Sequence, residues 1–307
     1  MIEEKSAKLL DKLRRTHLYD CLCGPEHGCG PGQSCGPDTR SMDGSWPSTK
    51  RAVDKLRSIS LEITSKCNLN CLHCFANENG DSGDSELEYS AINAVLEECS
   101  KIGCRIIQFI GGEPLLHPNI SNLLDYAYSL GFEKIELFTN GTLLDTEKLK
   151  MIKKCGISLA FSIYSDNRAI HDEITRCKGS YDRTIGNIRK AIEEGIRVRA
   201  VIIILDYNKE TIGSTIDFLK KLGVDSIRID EVRGYGRGKN IHKALSWRKY
   251  CRKCIQDKIY IDSRGRILPC VFTRHIKIGE INEGIRGIIN GRKLEEFRRN
   301  ALNGNFN

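Results

Sequence analysis

From Ser58 onward the chain carries two alternating hydrophobic rhythms. Ile59-Ser60-Leu61-Glu62-Ile63-Thr64 alternates apolar with polar residues, the period of a strand with one buried face. Val201-Ile202-Ile203-Ile204-Leu205 is a continuous apolar run of strand length. Strands are predicted near 58–64, 105–110, 133–138, 157–163, 197–204 and 225–230. Helices are predicted between them, near 85–101, 119–130, 145–154, 181–194 and 208–222. Strands alternating with helices in this way predict an α/β protein with a parallel sheet. A basic, Gly-rich connection from Val232 to Gly238 ends the series. Further on, 258–262 and 266–270 flank Ser263-Arg264-Gly265 and read as a hairpin from its turn residues.

The first 57 residues read differently. Ile2, Leu9, Leu10, Leu13 and Leu18 are partly in helical phase, which predicts a helix over 2–18. Residues 21–37 are too rich in Gly and Pro for helix or strand and read as a loop. The chain divides into an N-terminal helix and Cys/Gly-rich loop (1–57), an α/β unit (58–240) and a small C-terminal extension (241–307).

Cysteine changes this picture most. There are 14 in 307 residues, and in a reducing compartment their grouping at ligand spacings points to metal centres rather than disulfides. Cys67, Cys71 and Cys74 fall on the loop leaving the first strand, where three thiolates can converge on one soft metal centre. Three is one fewer than a closed zinc or four-iron site uses, so one metal position stays open to a ligand that is not protein. A zinc loop is the alternative. Cys21, Cys23, Cys29 and Cys35 are candidates for holding a cluster or zinc or for lending a ligand to a cluster elsewhere, with a mobile thiol-bearing tail as the alternative. Cys99, Cys104 and Cys155 border strands and read as buried small hydrophobes.

Charge adds little. The formal net charge is +8, from 48 Lys and Arg against 40 Asp and Glu, but the basic residues are spread along the chain and cluster thiolates would offset them. No nucleic-acid partner is expected. The chain opens without a secretory pattern and its apolar runs are far short of a membrane span, so a cytoplasmic protein without a membrane partner is expected.

The spacing C-x3-C-x2-C, with Asn70 before the second cysteine and His73 before the third, resembles the signature of the radical S-adenosylmethionine (radical SAM) superfamily. Gly111-Gly112-Glu113-Pro114, directly after the second strand, looks like that family's GGEP motif. Thr139-Asn140-Gly141 ends the third strand, and Phe161-Ser162-Ile163-Tyr164 followed by His171-Asp172 through Gly179-Ser180 looks like a segment of its peptide-modifying members. The resemblance implies a partial (βα)6 TIM-like barrel with active residues at the C-terminal ends of its strands. It implies a [4Fe-4S] cluster on Cys67, Cys71 and Cys74, with S-adenosylmethionine on the fourth iron, cleaved by one electron to a 5'-deoxyadenosyl radical. Gly111, Gly112, Glu113 and Pro114 would then lie at the methionyl amine, Asn140 near the nucleoside, and Ser162 and Arg176 at the ribose or carboxylate. Tyr164-Ser165-Asp166 departs from the usual Asp-Gly. Cys177, beside Arg176, is a candidate for returning a hydrogen atom to a substrate radical.

Cys251, Cys254 and Cys270 around the hairpin resemble the start of a SPASM domain, or its shorter relative the twitch domain, which binds auxiliary iron-sulfur clusters. No cysteine follows Cys270, so these three support at most one such cluster, and a structural zinc is the alternative. The resemblance implies a ribosomally made peptide as substrate, to be crosslinked, thioether-bridged or epimerised, and a low-potential electron donor of flavodoxin or ferredoxin type. A small tetrapyrrole or pterin precursor is the second reading for the substrate. A non-catalytic iron-sulfur or zinc scaffold is the third reading of the chain.

Overall fold

The computed structural model describes residues 56–76, 85–232, 234–241 and 257–303. The predicted N-terminal helix, Cys21, Cys23, Cys29 and Cys35, and Cys251 and Cys254 lie outside the described residues.

Strands and helices alternate where the hydrophobic pattern placed them. β1 (Ser58–Glu62) leads to α1 (Tyr89–Lys101), β2 (Ile106–Ile110) to α2 (Ile120–Ser129), and β3 (Lys134–Thr139) to α3 (Thr146–Lys154). β4 (Ser158–Ser162) is followed by two helices, α4 (Arg168–Thr175) and α5 (Ser180–Glu193). β5 (Val198–Ile204), α6 (Ile212–Leu222) and β6 (Ser226–Glu231) complete the series. The C-terminal part adds β7 (Lys258–Ile261), β8 (Arg266–Leu268), β9 (Gly279–Glu280), α7 (Ile285–Ile289) and α8 (Arg292–Asn303).

One sheet takes the order β6-β5-β4-β3-β2-β1-β7-β8-β9. The pairs from β6 through β1 are parallel, as a chain of βα units requires. The predicted hairpin is β7 and β8, turned at Gly265 with φ +79°, where a side chain would be strained. It is not a detached lobe. β7 pairs in parallel with β1 and extends the barrel sheet by a seventh strand.

The two-residue period separates two environments. Ile59, Leu61, Ile107, Phe109, Leu137 and Leu159 join Leu96, Leu123 and Ile152 from the helices in one buried core. Each such side chain contributes roughly 1.5–3 kcal/mol by leaving water. Residues of opposite phase turn to the inner face of the barrel, where Ser60, Gln108, Glu136 and Arg199 are linked by hydrogen bonds from four strands. The helices cover the outside of the sheet, and the ends of β1 to β4 open onto the loops that carry the motifs.

α4 was not predicted as a helix. Asn167 caps it, its side chain accepting from the Ala169 and Ile170 amides at 2.9 and 3.4 Å. Ile170 and Ile174 fall one turn apart and pack with Tyr164, Leu205 and Val232 in a second apolar cluster. Arg176 ends the helix in the left-handed region, φ 53°.

Candidate active site

The cysteine loop is fixed by its backbone. Immediately before Cys67, the Thr64 and Lys66 carbonyls accept from the Gly112 and Glu113 amides at 2.8 and 2.7 Å. A Cβ on Gly112 would stand 2.3 Å from the Lys66 carbonyl oxygen, so this glycine exists to let two backbones meet. Past Cys67, the Asn70 and Leu72 amides donate to the Thr175 and Ile174 carbonyls at 3.1 and 2.9 Å, seating the loop on the end of α4. Arg237 closes it: its Nε donates to the Cys71 carbonyl at 2.8 Å and its amide to the Cys74 carbonyl at 2.9 Å. The Gly-rich connection after β6 is therefore part of the site.

Glu113 acts inward. It is fully buried, its Oε1 accepts from the Leu115 amide and the Thr139 hydroxyl at 3.1 and 2.7 Å, and its Oε2 accepts from the Asn140 amide at 2.8 Å. Burial pushes its carboxyl up to about 7 while those three donors pull the other way. Its carboxylate ties the loop after β2 to the loop after β3. Asn140 then reaches the cysteine loop, its Nδ2 donating to the Asn68 Oδ1 at 2.9 Å.

A cavity of about 190 Å³ opens at these loops and runs along the inner face of the barrel. Cys67, Cys71 and Cys74 line it, with Gly111, Gly112, Asn140 and Ser162 beside them. Glu113, Pro114, Arg176 and Cys177 do not line it. Arg176 is exposed, and the Cys177 thiol accepts from Arg183 Nη2 at 3.3 Å. A hydrogen-returning role would require that thiol to reach a radical from outside the cavity wall.

Burial pushes the Cys71 thiol up to about 12, with the neighbouring Cys74 and Cys67 adding repulsion. Cys67 is more open to solvent, yet desolvation by the surrounding wall, with Glu113 and Cys74 adding repulsion, moves it up to about 11. Two neighbouring thiols that resist ionisation are suited to a positive centre that stabilises the thiolates together. Tyr164 stands over this corner. Its hydroxyl hydrogen-bonds the Ser162 side chain and the Cys71 thiol, and its ring meets His73 edge-on at 4.8 Å. Among the described residues no three His, Cys, Asp or Glu side chains stand close enough to share one metal ion. Thiolates on separate irons of a cluster lie further apart than ligands of a single zinc, so the loop fits the cluster better than it fits zinc.

The floor and, apart from Cys270, the far wall were not legible as site residues. Gln108 Nε2 donates to Glu136 Oε2 at 2.6 Å, and Arg199 grips Glu136 at 3.1 and 2.6 Å. Burial alone would raise the Glu136 carboxyl, but the Arg199 guanidinium holds it down at about 2. The far wall is the C-terminal hairpin, with Tyr260, Phe272 and Cys270 facing the cavity. Behind it Glu62, at the end of β1, accepts from the Tyr260 hydroxyl, from Arg274 Nη2 and from the Ser263 hydroxyl, the last at 2.8 Å. The Arg274 guanidinium lies 5.6 Å from the Phe75 ring and 5.4 Å from that of Tyr260. Phe75 follows Cys74, so this buried pair couples the cysteine loop to the hairpin bearing Cys270.

Known proteins share this arrangement. The family model of the radical SAM superfamily matches residues 61–222, and that of the SPASM iron-sulfur cluster-binding domain matches 245–306. The Fe-coproporphyrin III synthase of Methanosarcina barkeri is 29% identical over 194 residues, 63% of this chain and 48% of that protein. The antilisterial bacteriocin subtilosin biosynthesis protein AlbA of Bacillus subtilis is 28% identical over 235 residues, 75% of this chain and 52% of that protein. The chain thus spans about half the length of these relatives. Streptococcus suis SuiB, in its crystal structure with the precursor peptide SuiA, superposes with a TM-score of 0.69 at 17% identity, over 81% of this chain and 68% of that one. No helix among the described residues is long and apolar enough to cross a membrane. With its three-cysteine loop, its GGEP turn and the sheet that carries both, the chain belongs to the radical SAM superfamily and bears a SPASM segment behind the barrel.

Proposed function

We propose that this protein modifies a ribosomally made peptide by radical chemistry. The observation that carries the reading is the cavity itself, which has the three-cysteine loop on one wall and Cys270 of the SPASM segment on the other, so that one substrate space faces both. Cys67, Cys71 and Cys74 would hold a [4Fe-4S] cluster that, with bound S-adenosylmethionine and one electron from a low-potential donor, supplies a 5'-deoxyadenosyl radical able to take a hydrogen atom from a substrate. Cys270, with Cys251 and Cys254, would hold an auxiliary cluster.

The remaining residues position and exclude. The backbone at Gly111 and Gly112 lines the cavity beside the thiols and would meet the methionyl amine, with Asn140 and Ser162 along the nucleoside and carboxylate. Glu113 from behind the cavity wall and Arg237 on that wall keep the loop in register. Phe138, Val201, Ile203 and Phe272 give the cavity an apolar lining that would keep water from a reactive intermediate. Similarity to a bacteriocin biosynthesis protein and to a fold seen with a precursor peptide supports the peptide reading. Similarity to a coproporphyrin-handling synthase supports a small cyclic substrate as the second reading.

Incubation of the anaerobically reconstituted protein with S-adenosylmethionine, reductant and short peptides encoded beside its gene tests the proposal. The expected result is 5'-deoxyadenosine together with a peptide whose mass has changed. Formation of 5'-deoxyadenosine that only a tetrapyrrole or pterin precursor accelerates would replace the peptide reading with the second one. Absence of 5'-deoxyadenosine under every condition would leave a scaffold.

A further inference from the structure

Resting on that reading, we propose that the surface formed by the end of α4 and the start of α5 is where an acidic, low-potential one-electron donor protein docks. The cysteine loop is hydrogen-bonded directly to this surface. The residues on either side of Cys71, Asn70 and Leu72, donate their amides to Thr175 and Ile174, and the next residue, Arg176, is exposed. A second connection runs through rings: His73 to Tyr164 at 4.8 Å, Tyr164 to His171 at 5.3 Å, and His171 to Tyr181 at 5.7 Å between centroids. Tyr181, at the start of α5, is half-buried and so brings this stack to the outside.

The charge around that exit is positive. Arg168, Arg176, Lys178 and Arg183 are all exposed. Arg168 pairs with Asp182 at 2.8 Å, while no carboxylate pairs with Arg176, Lys178 or Arg183 among the described residues. Asp172, which would offset them, is turned inward: its carboxylate accepts from the Gly179 and Tyr181 amides and the Ser180 hydroxyl at 2.6, 2.8 and 2.9 Å. Glu173 is the other exposed acid at the end of α4. On α3, by contrast, Lys148, Lys150 and Lys153 each meet a carboxylate. Unpaired positive charge at the helix end on which the cysteine loop is seated suits an acidic partner that must approach closely and leave again. In the step itself one electron would leave the donor's reduced flavin, which would be oxidised by one electron, and would enter the cluster that Cys67, Cys71 and Cys74 would hold. No bond is made or broken.

The test uses the reconstituted full chain, with reduced flavodoxin as donor and dithionite as a small reductant, and follows cluster bleaching by stopped flow together with the flavodoxin Kd. The Arg168→Glu/Lys178→Glu variant is expected to bleach about tenfold more slowly with flavodoxin, to bind it more weakly, and to lose the salt dependence of the wild type. Its iron content and its bleaching by dithionite are expected to match the wild type. Lys220→Glu/Lys221→Glu, at the C-terminal end of α6, makes the same charge change on another helix and is expected to leave all these values unchanged. Equal slowing in both variants, wild-type rates in the first, or a wild-type protein that dithionite bleaches but flavodoxin does not, would overturn the docking surface while leaving the radical reading intact. A wild type that holds no reducible cluster would overturn both.

Discussion

On one wall of the cavity three cysteines within eight residues ride on a loop hydrogen-bonded to the turn after β2, to the loop after β3, to the end of α4 and to Arg237. On the other wall Cys270 follows the hairpin's second strand in a local turn, its amide donating to the Thr273 hydroxyl at 3.0 Å and its carbonyl accepting from the Thr273 amide at 3.0 Å. Cys251 and Cys254 belong to a segment before the hairpin. The first wall is preorganised by backbone contacts between neighbouring strand ends. The second is joined to the barrel by the β1–β7 ladder and to the cysteine loop through a buried group of side chains, Glu62, Tyr260 and Arg274, the last beside Phe75. Preorganised backbone suits a site that must hold a ligand in one orientation through radical formation.

The comparison can be broken most severely at Gly112. Gly112→Ala forces a methyl within 2.3 Å of the Lys66 carbonyl, and the loop must leave its register. Loss of 5'-deoxyadenosine formation is expected, together with a fall of about four in bound iron, measured on a protein whose circular dichroism is retained. Arg274→Met strikes the joint instead. It leaves Glu62 buried at 2% exposure without its cation, which is expected to cost about 3–5 kcal/mol in urea unfolding. Glu62→Gln/Arg274→Met should recover much of that loss, since no unpaired charge remains.

Glu113→Gln sharpens the account of the first wall. The amide nitrogen must face one of three donors, so a loss of about 1–3 kcal/mol is expected; because burial raises the wild-type carboxyl to about 7, the wild type loses stability as pH rises through that value, and the loss is larger at pH 5 than at pH 8. The smallest effect expected is on pH dependence through His171. It is 1% exposed, and burial holds its imidazole down at about 4. A depressed folded value means that its contribution to stability is present above the ordinary histidine range and is lost as pH falls from about 6.5 towards 4. The Tm should therefore drop across that interval, and less steeply in His171→Phe.

Much of this architecture could be read from the chain. The strand and helix order followed from periodicity because each strand has one face in the core, as Ile59, Leu61, Ile107 and Phe109 do, and each helix has one apolar stripe. The thiols followed from spacing. What escaped was tertiary. Nothing local says that β7 pairs with β1, since a strand's own pattern does not name its neighbour. Glu113 reads as a ligand to an ammonium beside two glycines, yet its donors come from residues 115, 139 and 140. Arg237 lies 163 to 166 residues from the carbonyls it clamps and sits in a Gly-rich run that gives no hint of the contact. α4 has only two well-spaced isoleucines, and its Asn167 cap was the signal that could have found it.

The central claim is that one cavity is bounded by two separate iron-sulfur sites, of which the cysteine loop carries the catalytic one. Iron and acid-labile sulfide after anaerobic reconstitution test it most directly, compared between the wild type, a Cys67→Ala/Cys71→Ala/Cys74→Ala variant and a Cys270→Ala variant. The account predicts about eight irons in the wild type and a fall of about four in each variant, with 5'-deoxyadenosine formation abolished only in the first. Unchanged iron in the triple variant, or zinc in place of iron on the cysteine loop, would contradict it.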